Sequence, residues 1–245
     1  MKKFLAIINY RTLIAITIAL VMLYLSYTYD ISYNVDLTLL SIAIIFPLVF
    51  NIRMSFRRRE KAMDHLSQFR SSLKTIEYFF TSSTKLTLED KQEISGILQE
   101  ISDKTLDHLS KSDYNTKELD ETVQKIFEFI VTKDTLIPRT LKDKLLGCIN
   151  DLHDSIDNLH GIHVHRTPIS LKAYCEYFIY AFPVVYVPAM IFHTGLDSSK
   201  WITIIIVIFS EFILITLFNI QDHLEYPFDD NGLDDIRLEI FKLNR

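Results

Sequence analysis

The chain has 245 residues, of which 49% are hydrophobic and 23% charged, a mixture that implies apolar blocks alternating with polar ones. Only five glycines and six prolines favour long helices over a turn-rich β architecture. A formal charge of -5, with no basic patch interleaved with aromatics, argues against nucleic-acid binding, and Cys148 and Cys175 do not make a disulfide framework.

Residues 12–29 and 37–52 carry no charge, residues 177–196 form a third apolar stretch, and residues 201–221 form a fourth broken only by Glu211. A bilayer core needs about 20 helical residues, with a lower limit of roughly 17. The expectation is four spans in two hairpins. No small-residue cleavage site follows the first stretch, so it reads as a span rather than a leader. Lys2, Lys3 and Arg11 precede the first span, and Arg53, Arg57, Arg58, Arg59 and Lys61 follow the second, whereas the 29–36 connector has no Lys or Arg. By the positive-inside rule both termini and the region from 53 to about 172 are expected in the cytosol, in a plasma membrane or bacterial inner membrane. Four regions result: a first hairpin (1–52), a cytosolic helical region (53–172), a second hairpin (173–221) and an acidic cytosolic tail (222–245).

Between Leu48 and Phe80 there is no Gly or Pro. Met63, Leu66, Phe69, Leu73, Ile76 and Phe80 recur at helical spacing, so the second span is expected to continue into water as one helix over 37–80, roughly 65 Å at 1.5 Å per residue. Thr87 with Asp90 resembles a capping box before Ile94, Ile97, Leu98 and Ile101. Asn115 with Glu118 starts a further helix. Another runs from about Thr140 through Leu145, Ile149, Leu152, Ile156 and Leu159, with Gly161 as its cap. The fold class is all-α, and most charges in the central region read as its solvated face.

Neither a phosphate loop, nor paired Cys motifs, nor a nucleophile motif is present, so no catalytic residue and no cofactor is assigned. The best metal candidates are His153, Asp154, Asp157, His160, His163 and His165. Spacing of three residues is weak evidence, however, and the run reads as a wet helix face with no metal assigned. Glu211 lies ten residues into the fourth span, where a carboxylate is costly. Either it is protonated and bonded to a tyrosine such as Tyr180 or Tyr186, or it serves permeation. Pro183 and Pro188 free backbone carbonyls in the third span, which must be satisfied within the bundle, and Pro47 weakens the bond to the carbonyl of Ala43 in the second.

Three motifs resemble the bestrophin family. In residues 42–50, IAIIFPLVF, the residues Ile42, Phe46 and Phe50 lie one helical turn apart. HRTPISLKAY, residues 165–174, looks like the family's TPIP-type entry into the third segment, with Ser170 where a second proline is common. LEYPFDD, residues 224–230, resembles the Pro-Phe and acidic motif after the fourth. With the segment order, the resemblance covers nearly the whole chain. No Trp follows the neck where the family usually has a Tyr-x-Arg-Trp pattern. Asp229, Asp230, Asp234 and Asp235 match the calcium-binding cluster of animal members loosely, with His223 and Tyr226 where amide side chains stand, and no calcium is assigned.

The resemblance implies a homopentameric ion channel with Ile42, Phe46 and Phe50 as the neck on the five-fold axis. Its implied partners are inorganic ions (chloride or monovalent cations), membrane lipid and other copies of the chain. Independently of the family, three apolar rings stacked on an axis can dewet and close a pore, and aromatic edges favour anions. Two other readings stay open: a membrane-anchored helical scaffold or sensor, and a proton-coupled carrier using Glu211.

Overall fold

The computed structural model describes residues 7–111, 115–195, 200–229, 232 and 234–244. Among these the chain is all helical, with α1 (Tyr10–Thr28), α2 (Thr38–Ser82), α3 (Leu88–Ser110), α4 (Lys117–Thr132), α5 (Arg139–Val164), α6 (Ile169–Thr194), α7 (Lys200–Glu225) and a short 3-10 turn at Leu238–Phe241. Four stretches are long and apolar enough to cross a membrane, supplied by α1, α2, α6 and α7. The chain is a multi-pass membrane protein.

Two compact units are formed. One comprises Met1–Arg57, Arg166–Glu225 and Gly232–Asp234, and the other Arg58–His165, Tyr226–Asn231 and Asp235–Arg245. Helix α2 belongs to both, running unbroken for 45 residues, or about 67 Å at 1.5 Å per residue.

In the first unit, α1, α6 and α7 pack on one another. The face α1 turns inward is made of Thr12, Ala15, Ala19, Leu23 and Ser26, while Leu13, Ile14, Leu20, Val21 and Tyr24 stay exposed. Small residues inside and large ones outside is the arrangement expected where the outer solvent is lipid: close backbone approach, not removal of apolar surface from water, drives the association. The outward faces of α7, with Trp201, Ile202, Ile205 and Phe209, follow the same logic.

The ends of these helices are tied by polar groups. Asn9 caps α1 in a reciprocal box with Thr12, and its amide exchanges hydrogen bonds with that of Asn219 on α7, at 3.1 and 3.2 Å. Next to it, Arg11 bridges Glu176 of α6 at 3.4 Å and Asp222 of α7 at 2.9 Å. Lys172 bonds Asp222 and, at 3.2 Å, Glu225, which also accepts from Thr167. These ion pairs, partly buried and shared among three helices, fix helix ends that apolar packing leaves free to slide.

In the second unit Leu66, Phe69, Leu73, Ile76 and Phe80 of α2 are fully buried against α3, α4 and α5, as their spacing predicts. Each such side chain contributes about 1.5–3 kcal/mol by leaving water. The Thr87–Asp90 capping box forms as expected. Lys133 donates to the same Asp90 at 2.6 Å, and this contact, with the Thr87 N–H, lowers the carboxyl to about 2.

Two helix ends differ from the sequence reading. Helix α4 begins at Lys117, whose N–H bonds the Asn115 side chain at 3.1 Å, so Asn115 and Glu118 form no reciprocal box. Helix α5 passes through Gly161 and stops at His165, whose N–H still bonds the Gly161 carbonyl at 2.9 Å. A glycine cap requires a left-handed backbone, and among the described glycines only Gly195, which ends α6, has positive φ. Pro168, which lacks the N–H that would bond the Val164 carbonyl, keeps the helix from running on.

Within this unit the residues after α7 are not a loose tail. Phe228, Ile236 and Leu243 are buried in its core, and the Leu243 N–H bonds Ser102 Oγ at 3.0 Å.

Candidate functional site

The first-unit part of α2 has two contrasting faces. Ile44, Leu48, Asn51 and Ser55 are buried, with Ile44 and Leu48 in a core with Cys175 and Ile179 of α6 and Leu214 and Ile215 of α7. On the outer face, Ile42, Phe46 and Phe50 are 49%, 59% and 51% exposed. The rings of Phe46 and Phe50 lie 5.6 Å apart at 55°. An open groove of about 740 Å³ runs beside Ile42 and Phe46, lined also by residues 34–38 and His193.

Pro47 sits inside this helix and removes the donor that would bond the Ala43 carbonyl. That carbonyl instead accepts from the hydroxyl of Tyr174 on α6, at 3.3 Å. The same device recurs in α6. Pro188 frees the Val184 carbonyl, which accepts from Tyr33 in the α1–α2 connector at 3.2 Å. In lipid an unsatisfied backbone carbonyl costs several kcal/mol. Two tyrosines thus keep two prolines tolerable and tie α2 and the α1–α2 connector to α6.

Glu211 is 1% exposed, and among the described residues neither carboxyl oxygen has a hydrogen-bond partner. Of its two readings, the bond to a tyrosine is not formed. Tyr180 donates to Glu176 at 3.5 Å, and the hydroxyls of Tyr186 and Ser210 are joined by a hydrogen bond at 3.2 Å. The rotation of α7 presents Ser210 to Tyr186 and turns Glu211 inward in register with Val207, Leu214 and Ile215.

Further buried polar side chains were given no role by the sequence reading. Asn51 donates to Cys175 Sγ at 3.3 Å while its oxygen stays unpartnered, as do the Ser55 hydroxyl and both amide atoms of Gln221. Their only sequence signal is polarity at inward positions of otherwise apolar helices.

The candidate metal run does not converge. The Asp154 carboxylate accepts from Asn150 and its backbone carbonyl from Asn158, both of its own helix, whereas His160 Nδ1 pairs with Nε2 of His108 at 3.1 Å. Among the described residues no group of three or more His, Cys, Asp or Glu is placed to hold a metal ion. Of the acidic residues after the Pro-Phe motif, Asp230 lies outside the described residues.

No family model matches the sequence, and no curated protein matches it. Solved structures do match. One bacterial bestrophin homologue from Klebsiella pneumoniae superposes with a TM-score of 0.79 at 15% identity, covering 95% of this chain and 93% of that one. A variant of a bestrophin homologue from the same organism reaches 0.82 at 14% identity, covering 98% and 94%. With TM-scores of about 0.8 and nearly full mutual coverage, this chain has the bestrophin fold.

Proposed function

We propose that the protein is a homopentameric ion channel, with α2 of each subunit lining a central path and Ile42, Phe46 and Phe50 forming its neck. The observation that carries this reading is the outer face of α2. Three large apolar side chains, about half exposed, stand one turn apart on a helix whose opposite face is fully packed. Repeated around an axis they make stacked apolar rings, a constriction whose wetting depends steeply on radius. The bestrophin fold supports it. The conducted ion is chloride or another small anion, favoured by the ring edges of Phe46 and Phe50. The basic residues 53–61 support a cytosolic second unit and cytosolic termini by the positive-inside rule.

A second reading rests on Glu211. A carboxyl group fully buried in the fourth span with no partner is the kind of group that carries protons in coupled transport, so a proton-coupled carrier is the competing function. The two differ in kinetics, because a carrier saturates and follows the proton gradient.

Native mass spectrometry in mild detergent tests the assembly. Five copies per particle supports the channel, and a monomer removes the axis on which the neck depends.

A further inference from the structure

The outer face of α2 does not end with its apolar trio. At 3.6 residues per turn, Arg53 and Arg57 fall within about 80° of arc together with Ile42, Phe46 and Phe50. Both are exposed, and neither has an ion-pair or hydrogen-bond partner among the described residues. Their neighbours in the basic run behave differently. Arg58 and Arg59 are only half exposed, and Arg58 donates to the carbonyl of Ile162. The run is therefore split. One arginine is spent on structure, while two continue the stripe of the trio.

We infer that Arg53 and Arg57 determine ion selectivity, forming two cationic rings at the end of the neck that gather small monovalent anions and turn cations away. The inference rests on the channel reading above. Guanidinium groups remain charged at every working pH and offer several N–H donors, which suits them to a partly dehydrated anion. Charge of one sign around a narrow passage raises the local concentration of the opposite ion. Arginines at a membrane border usually meet lipid headgroups, but such residues lie on a helix's lipid face, and these two share the face of the neck. The same face turns acidic at Glu60 and Asp64, both exposed. The cationic stretch is thereby confined to one turn, Arg53 to Arg57, about 6 Å along the helix.

The test is the reversal potential of the full-length protein in planar bilayers under a potassium chloride gradient. R53Q/R57Q is expected to lower the anion-to-cation permeability ratio about tenfold, an effect within reach of several charges close to the path. R53K/R57K should keep the ratio near that of the wild type, and E60Q/D64N should raise it. The wild-type preference should also weaken near 1 M salt, where the screening length falls to about 3 Å. The single variants R53Q and R57Q carry the same test if the double variant fails to assemble. A conducting variant with an unchanged ratio overturns the inference and leaves the channel reading standing. A wild-type protein that passes no ions overturns both.

Discussion

The hydroxyl of Tyr174 on α6 donates to the carbonyl of Ala43 on α2 at 3.3 Å, and Ala43 is the residue whose helical donor Pro47 has removed. The contact sits beside Ile42 and Phe46, the residues proposed for the neck, where Pro47 leaves α2 without one backbone bond. Tyr174→Phe keeps the ring and deletes the donor. We predict a loss of about 0.5–1.5 kcal/mol, read as a melting shift of about 1–6 °C in detergent. In liposomes, flux should change with assembly intact, because the upper part of α2 is freed to tilt. A variant with wild-type melting and flux would show that the bond holds nothing.

The bundle has its own pH signature. Lys133, and then the Thr87 N–H and hydroxyl, hold the Asp90 carboxyl at about 2, below its ordinary 3.8. A carboxyl group depressed by folding adds stability above its unfolded value and loses it as pH falls through the folded one. Asp90→Asn should therefore be less stable than wild type at neutral pH, and the gap should close between about pH 5 and pH 2. Melting curves of both proteins across that range check this. A gap that stays constant would place the effect in the cap geometry and not in the charge.

Glu211→Gln keeps the shape of the side chain and removes its ability to ionise. Its burial without a partner leads us to expect assembled protein whose flux, or the pH dependence of that flux, differs from wild type. Identical flux at every pH would reduce Glu211 to a packing group.

Much of the fold was legible. The 37–80 rod could be read because an uninterrupted apolar face recurs at helical spacing, and the observed helix, Thr38–Ser82, agrees with it. The Thr87–Asp90 cap was equally local. What failed were features set by distant partners or by helix rotation. Sequence gives the depth of Glu211 in its span but not its azimuth, so of its two readings the tyrosine bond does not form, and Ser210, one position earlier on α7, takes the contact with Tyr186. Tyr174 and Ala43 are 131 residues apart, and no spacing rule joins them. Pro47 announced a carbonyl in need of a donor without saying which donor. The end of α5 was misplaced at Gly161 because composition signals a possible cap, while the backbone conformation decides it.

Orientation has a direct chemical test. A single cysteine in place of Ser32, in the connector before α2, should react with an impermeant thiol reagent added outside intact cells. One in place of Ser82, at the end of α2, should react only after permeabilisation. The background variant carries C148A, because Cys175 is buried but Cys148 is partly accessible. Outside labelling at Ser82 would reverse the topology and with it the placement of the bundle.

The central claim is that Ile42, Phe46 and Phe50 form the neck of a conducting path, and the flux of the triple alanine variant tests it most directly. Removing three large apolar side chains per subunit widens and hydrates the constriction. Because all three are about half exposed on a face outside the packed core, the fold should survive. Reconstituted I42A/F46A/F50A, with the oligomeric state of the wild type, is predicted to pass ions faster than wild type and to discriminate among them less. A variant that assembles normally and conducts at the wild-type rate would contradict the account, because these residues would then be packing groups and not a gate.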